Sequence, residues 1–307
     1  MEKGNKKKIG IAVKVCVSLG LVWYLLEKSD VGKIGTIVLN INIWWLICAM
    51  ILYIGSQVVS SWRWWVLLGQ WGRLGQVTSL YFIGCFFNSF MPTGIGGDGV
   101  KTYYLFKRGV SIGEGMASVF MDRYLGMGGM LIIGTIGYAL GWESMAGKEV
   151  VWIWPGVVGG YLVGSMMVWG LKWGKIVGFV RGFYEPLMGY KKRCFDVRMA
   201  IMGALGVQIL GIGSVWVLGN GIGIDMGFRY YAVAVPVASI LTMIPVSISG
   251  IGIREGALVY MLGFFGIGKE QALALSVTWF VVMLVTNMIG GIEFIRRGME
   301  EKRTEVE

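Results

Sequence analysis

The stretch MAIMGALGVQILGIGSVWVLGNGIGI spans residues 199–224 and contains 26 consecutive residues without a charged side chain. About 20 apolar residues in an α-helix cross a bilayer core, so this stretch is long enough for one membrane span. Three further uncharged blocks of 22 to 23 residues occur at 150–171, 230–252 and 271–292. In lipid every backbone N–H and C=O must be paired, which only helices and closed barrels achieve. The sequence therefore predicts an all-α polytopic membrane protein, folded as a single membrane-embedded domain over residues 1–307.

Composition limits the chemistry that this chain can perform. It has no histidine, which is the commonest general base and metal ligand, and its 4 cysteines show no CxxC spacing. We therefore expect no metal site, no cofactor and no enzymatic activity. The net charge of +10 is concentrated in short loops between apolar blocks. This distribution follows the positive-inside rule, so we expect membrane insertion and no nucleic-acid binding.

Basic loops set the orientation of the predicted spans. Segment 172–198 carries 7 Lys and Arg residues against 2 acidic ones, and the C-terminal tail is also basic. Both should therefore face the cytoplasm. The lysine-rich N-terminus precedes an apolar run without a small-residue cleavage site, which favours a retained first helix over a signal peptide. We predict a multi-pass protein of the cell (plasma or inner) membrane with both termini cytoplasmic. The spans are expected at about 9–26, 43–62, 115–141, 150–171, 199–219 and 271–292.

Two segments do not fit this pattern of full spans. The apolar run that starts at Val77 has only 15 residues before a proline and then returns to basic residues. We predict a re-entrant hairpin over 77–108 that enters from the cytoplasm, and a second over 229–268 that enters from outside. Oppositely oriented hairpins are what an inverted repeat of pseudo-halves, about 1–141 and 150–295, would show. The alternative is about eight full spans, which also places both termini inside.

Charged side chains are predicted at or near membrane depth, next to two glycine-rich turns. Ionisable groups there are costly and usually face a cavity or one another, and non-helical backbone must be covered by protein or water. We therefore predict a substrate site in this region. The predicted substrate-binding residues are Asn88, Pro92, Gly96, Gly97, Asp98, Lys101, Asp122, Arg123, Pro245, Ser249, Gly250, Gly252, Arg254 and Glu255.

Some of these charges also have simpler interpretations. Asp122 and Arg123 lie about two turns into a predicted helix, so both could equally extend to the cytoplasmic interface. Arg63 lies among three tryptophans and is predicted to be an interfacial anchor. Residues 96–98, Gly-Gly-Asp, lack the Gly-Lys-Ser/Thr ending of a Walker loop, so nucleotide binding is not expected.

These motifs resemble a known family. Residues 87–92 (FNSFMP), 96–101 (GGDGVK) and Asp122-Arg123 are similar to the membrane domain of lysylphosphatidylglycerol synthases, the flippase-like domain proteins. Residues 244–255 (IPVSISGIGIRE) are similar to the second signature of that family. Lys101 stands where the family usually has Arg, and Asp122 where it usually has Glu. Charge is kept at both positions, although Lys lacks the bidentate fork of Arg.

The resemblance implies a protein that moves a polar-headed lipid between leaflets: a phospholipid, an aminoacyl-phospholipid or a polyprenyl-linked lipid. In two-domain members a soluble domain makes the aminoacylated lipid. This chain ends at Glu307, soon after the last predicted span, so we do not extend aminoacyl transfer to it. The expected partners are membrane lipids and a separate lipid-modifying synthase or glycosyltransferase, and the sequence is compatible with a homo-oligomer.

Two other functions remain open at the level of sequence. A secondary transporter of a small solute suits inverted hairpins equally well. A membrane enzyme that uses Asp98 or Glu255 as a base is disfavoured, because histidine and a metal-ligand cluster are missing. The sequence carries no ATPase motif, so uphill movement would require an ion gradient or a supply of substrate.

Overall fold

The computed structural model describes residues 17–18, 20–21, 23–27, 29–91, 96–147, 149–170, 181–243, 247 and 250–304, without the side chains of 149–150 and 299–304. This part of the chain is helical and contains no strand. Its α-helices are α1 Val31–Leu39, α2 Ile43–Leu67, α3 Leu74–Phe90, α4 Gly96–Phe106, α5 Ile112–Leu140, α6 Trp142–Met145, α7 Ile153–Gly170, α8 Arg181–Gly189, α9 Cys194–Gly221, α10 Phe228–Thr242, α11 Ile253–Gly263 and α12 Lys269–Thr304. Short 3₁₀ helices follow at Glu149–Trp152 and Tyr190–Lys192.

Four of the described helices are long and apolar enough to cross a membrane, namely α2, α5, α9 and α12 up to Gly298. They coincide with four predicted spans, which confirms the prediction of a helical membrane protein. The predicted span 150–171 corresponds to the 18-residue α7, which is not among these four. The predicted span 9–26 falls mostly outside the described residues.

Two pairs of short helices lie where the hairpins are predicted. The first pair is α3, with 17 residues, and α4, with 11; the second is α10, with 15, and α11, with 11. An 11-residue helix is about 16 Å long, well short of the roughly 30 Å hydrocarbon core. Neither α4 nor α11 can therefore cross a membrane alone, as the hairpin prediction requires.

The glycine-rich stretch of the first pair differs from the prediction in one respect. Gly96, Gly97 and Asp98 form the first turn of α4 instead of a non-helical turn. The carboxylate of Asp98 then lies at the positive end of the helix dipole, where an anion is stabilised. In the second pair Gly250 (φ 77°) and Gly252 (φ 86°) keep left-handed backbone that glycine adopts at least cost.

Helices of the two predicted pseudo-halves, residues 1–141 and 150–295, pack against one another. α2 packs along α9, whereas α3 packs against α12 and α10 packs against α5, the last long helix of the opposite half. Glycines permit both of the latter contacts. A methyl group at Gly290 would lie 1.9 Å from the carbonyl oxygen of Phe82, and one at Gly137 would lie 2.8 Å from that of Arg229. Each helix pair is thus covered in part by the half to which it does not belong.

The C-terminal end of α2 is fixed by the segment that follows α8. Arg193 donates to the carbonyl oxygens of Leu67 and Val66 at 2.8 and 3.0 Å, and the Tyr190 hydroxyl donates to Leu67 at 2.9 Å. Burial raises the pKa of Tyr190 to about 12, so its hydroxyl remains a donor at neutral pH. A cation at the negative end of the α2 dipole is favourable, and these contacts hold the end of the helix that carries Arg63.

Candidate functional site

A cavity of about 490 Å³ lies between the two halves; we call it the central cavity. Helices α2, α3 and α5 form one side, and α10, α11 and α12 form the other. Its lining combines aromatic and apolar side chains with a few polar ones, as in most small-molecule sites. The polar and charged residues that line it are Tyr53, Gln57, Tyr81, Asn88, Ser89, Arg123, Ser239, Thr242, Arg254 and Asn287. Within the described structure, two guanidinium groups and no carboxylate line this cavity.

Arg254 reaches the central cavity from the first turn of α11. Its Nη2 donates to Glu255 Oε1 at 2.7 Å, and its Nε is buried without a hydrogen-bond partner among the described atoms. The guanidinium carbon lies 4.7 Å from the ring centroid of Phe280 and 5.8 Å from that of Trp279. These rings favour a cation and exclude water from it. Arg254 is therefore a buried charge, 4 % exposed.

Glu255 holds this arginine in place and caps the N-terminus of α11. Its Oε2 accepts the backbone N–H of Gly252 at 2.6 Å, and its Oε1 also accepts the Ser276 hydroxyl of α12 at 3.2 Å. The carboxylate thus caps the helix and ties α11 to α12. Glu255 does not line the central cavity, so the structure places it behind Arg254.

Asp98 occupies the corresponding place at the start of α4. It accepts a hydrogen bond from Arg123 Nε of α5, and its Oδ1 lies 4.0 Å from Lys101 Nζ. The two helices of this pair are joined by Asn88, whose Oδ1 accepts the Gly97 N–H at 2.8 Å. A methyl group at Gly97 would lie 1.8 Å from the Gly84 carbonyl oxygen, so only glycine allows this approach.

Lys101 is enclosed by aromatic rings. Its Nζ lies 3.7 Å from the ring centroid of Tyr81 and 5.1 Å from that of Trp64, and the side chain is 4 % exposed. A desolvated ammonium over two rings gains cation–π energy and loses its water shell. Lys101 is not among the residues that line the central cavity; it anchors α4 to α2 and α3.

The prediction that Arg63 is an interfacial anchor is wrong. Its side chain is buried, and its Nε donates to Asp122 Oδ1 at 2.8 Å, with both side chains only 5 % exposed. Asp122 is thus engaged inside the protein and does not extend to the interface. This ion pair joins α2 to α5 across 59 residues of sequence, which is why sequence reasoning did not pair them.

Arg123 connects the central cavity to a second one. Its side chain is 40 % exposed, and it borders a separate cavity of about 670 Å³ between α4, α5 and α8. We call this the lateral cavity. Most of its other lining residues are apolar. The full lining besides Arg123 is Asp98, Gly99, Thr102, Tyr103, Phe106, Ile112, Met116, Val119, Phe120 and Phe183.

The predicted site residues therefore divide into three groups. Asn88, Arg123 and Arg254 line the central cavity, and Asp98 lines the lateral one. Other predicted residues line neither cavity and support the lining instead: Gly96, Gly97, Lys101, Asp122, Gly250, Gly252 and Glu255. Three predicted residues lie outside the described structure: Pro92, Pro245 and Ser249.

Sequence reasoning missed Asn287, which lies on α12. Its Nδ2 donates to the Ser89 hydroxyl of α3 at 2.8 Å, and its Oδ1 is buried without a partner among the described atoms. The sequence did contain an indication of this residue, because Asn287 lies within the 22-residue uncharged block 271–292. A polar amide there is costly in lipid and usually faces a cavity. No group of three or more Cys, Asp or Glu side chains suited to a metal occurs within the described ranges.

The fold and this site define a class: a multi-pass helical membrane protein whose interior holds paired charges and a cavity with two arginines. The chain matches the family model of the lysylphosphatidylglycerol synthase TM region over residues 11–291. It therefore belongs to that family, as its motifs predicted. A search of curated proteins found no match for this chain.

Proposed function

We propose that this protein moves a phospholipid between the two leaflets of the cell membrane. The observation that carries the proposal is the central cavity, into which the two halves of the fold each bring one arginine, Arg123 and Arg254. Guanidinium groups bind phosphate oxygens through paired, charge-assisted hydrogen bonds. Membership of a lipid-related membrane family supports a lipid phosphate over other anions.

The physical task is to lower the barrier for a charged head group. Such a group in the hydrocarbon core costs several kcal/mol or more. In the central cavity, Arg123, Arg254 and the amides of Asn88 and Gln57 would replace part of its hydration shell. The acyl chains would stay in apolar surroundings, for which the lateral cavity beside Arg123 offers one place.

We further propose that the two pairs of short helices are re-entrant hairpins of opposite orientation, with both chain termini in the cytoplasm. The lengths of α4 and α11 and the exchange of packing partners between the halves support an inverted repeat. Each leaflet would then have one hairpin that opens toward the central cavity. A separate lipid-modifying enzyme would supply or consume the lipid.

The sequence carries no ATPase motif, so equilibration of lipid without ATP is the minimum activity we expect. Purified protein in liposomes should accelerate the movement of acyl-labelled phospholipids, measured as fluorescence accessible to an impermeant quencher. Empty liposomes give the uncatalysed rate. The competing function, transport of a small solute, predicts uptake of a soluble organic phosphate and no acceleration of any lipid. That result would replace our proposal.

A further inference from the structure

The lateral cavity extends along one face of each of two helices. On α5 its lining begins at Ile112, includes Met116 about one turn later, and ends at Arg123. On α4 it extends from Asp98 to Phe106. The 11 residue steps from Ile112 to Arg123 rise about 16 Å, roughly half of a hydrocarbon core of about 30 Å. The cavity therefore has about the depth of one leaflet.

The walls of the lateral cavity suit hydrocarbon better than a polar head group. Tyr103, Phe106 and Met116 each remain about half exposed, although their rings and thioether are largely apolar. The two charged residues of the lining, Asp98 and Arg123, hydrogen-bond to each other at the inner end, so protein groups already engage them there. A flexible acyl chain can fill such a space and make dispersion contacts along its whole length.

Cations border the opposite end of the lateral cavity. Lys107 and Arg108 directly follow the lining residue Phe106, and Arg181 precedes the lining residue Phe183 by two positions. We call Lys107, Arg108 and Arg181 the basic rim; all three are exposed. Exposed cations at a membrane surface attract anionic lipids, and guanidinium groups bind phosphate oxygens through charge-assisted hydrogen bonds.

Close helix packing brings α8 to this end of the cavity. A methyl group at Gly113 would lie 1.9 Å from the Gly182 carbonyl oxygen, so the start of α8 lies directly against the start of α5. Two carboxylates lie in the same region, but Glu114 caps the first turn of its own helix and Glu185 pairs with Arg181. The charged ends of α4 and α8 thus meet beside an apolar cavity.

We infer that the lateral cavity binds one acyl chain of an anionic phospholipid from the cytoplasmic leaflet, with the lipid phosphate on the basic rim. Arg123 lines both cavities, so a lipid bound here adjoins the central cavity. The site is therefore the place from which the protein takes lipid out of this leaflet. This inference rests on the proposed function and orientation, and it assigns a second binding site to them.

Photolabelling in liposomes tests the site. The probes are phosphatidylglycerol and phosphatidylcholine with the same diazirine on one acyl chain, and mass spectrometry locates the labelled residues. Phosphatidylglycerol should label Met116 at least about threefold more than phosphatidylcholine does, since each nearby cation favours an anionic lipid. Both probes should label Met166 equally, because it is 72 % exposed on α7 and lies outside the cavity. In Lys107→Gln/Arg108→Gln the difference at Met116 should disappear.

A substitution that fills the cavity distinguishes this site from bulk lipid. Gly99 lines the cavity, and a methyl group there has no neighbour within 4 Å, so Gly99→Leu occupies the space without a clash. It should remove most labelling of Met116 and slow phospholipid movement. Gly164→Leu on α7 is the matched control, since that position is equally open, and it should change neither quantity. The Tm in detergent verifies folding, and Ile112→Trp fills the cavity from α5 if Gly99→Leu does not fold.

The outcomes separate this inference from the proposed function. Equal labelling of Met116 by the two lipids, or unchanged labelling in the cavity-filling variant, would overturn the inference and leave the proposed function intact. Normal transport by a variant that has lost this labelling would overturn the loading role of the site. Selective labelling of a wild-type protein that moves no lipid would remove the proposed function and support the binding site.

Discussion

Asp98 and Glu255 hold equivalent positions in the two halves of the fold. Each is the third residue of an 11-residue helix, each is buried, and each accepts a hydrogen bond from an arginine that lines the central cavity. Each also contacts the long helix that follows, through Arg123 on α5 and through Ser276 on α12. The two arginines differ in position. Arg123 lies on α5, the helix that follows Asp98, whereas Arg254 lies on α11 directly beside Glu255.

Replacing Arg254 by glutamine should reduce lipid movement at least about tenfold while the protein stays folded in the membrane. Glu255 keeps two other donors, the Gly252 N–H and the Ser276 hydroxyl, so its carboxylate remains hydrogen-bonded. Transport rates in liposomes at matched protein content measure the effect. Wild-type rates in the double variant Arg254→Gln/Glu255→Gln would show that this pair is structural only.

Replacing Asp122 by asparagine should destabilise the protein more than it changes transport per folded molecule. It leaves the Arg63 guanidinium buried without its counter-ion, and breaking a buried pair typically costs about 3–5 kcal/mol. Tm in detergent and yield of monodisperse protein measure the loss. The control is Glu185→Gln, which breaks an exposed pair with Arg181 and should change neither quantity. A normal Tm for Asp122→Asn would contradict the structural role of the pair.

Replacing Gly290 by alanine should lower stability by about 1–3 kcal/mol, the usual cost of overpacking. The new methyl group would lie 1.9 Å from the Phe82 carbonyl oxygen, so α3 and α12 would have to separate. Gly298→Ala is a matched control on the same helix, because a methyl group there has no neighbour within 4 Å. Equal Tm values for the two variants would show that α3 and α12 do not approach as described.

Transport of phosphatidylglycerol should change little between about pH 6 and pH 8. Guanidinium groups stay protonated and phosphodiesters stay ionised throughout this range, and the chain contains no histidine to titrate within it. Initial rates in liposomes buffered to the same pH on both sides measure the profile. A steep rise or fall in this window would point to proton coupling through another group.

Impermeant maleimides should label single cysteines at Lys192 only from the cytoplasm and at Ser144 only from outside. The charge asymmetry of the loops is the reason. Both residues lie in described segments at the ends of helices, and the four native cysteines must first be replaced. Labelling of position 192 from outside would reverse the proposed orientation and the assignment of the two hairpins.

Length and hydropathy were sufficient to predict the long helices and the positions of the two short pairs, because both depend on local composition. The ion-pair partner of a buried charged residue could not be predicted from local composition where the two members of the pair lie far apart in sequence. Arg63 and Asp122 are 59 residues apart, and the tryptophans around Arg63 gave a stronger local signal than its distant carboxylate. Asn287 was overlooked because it carries no charge, although a polar residue inside an apolar span is informative. The orientation of the hairpins stays a prediction.

The exchange of contacts between the halves has a consequence for biosynthesis. Helix α3 is made early, yet its packing partner α12 begins at Lys269, long after the first pair of short helices is complete. Until then α3 lacks the neighbour that Gly290 allows to approach the Phe82 carbonyl. Contacts so distant in sequence form late and slowly. Truncation before α12 should therefore leave a chain that the membrane quality-control machinery degrades, however well its earlier helices insert.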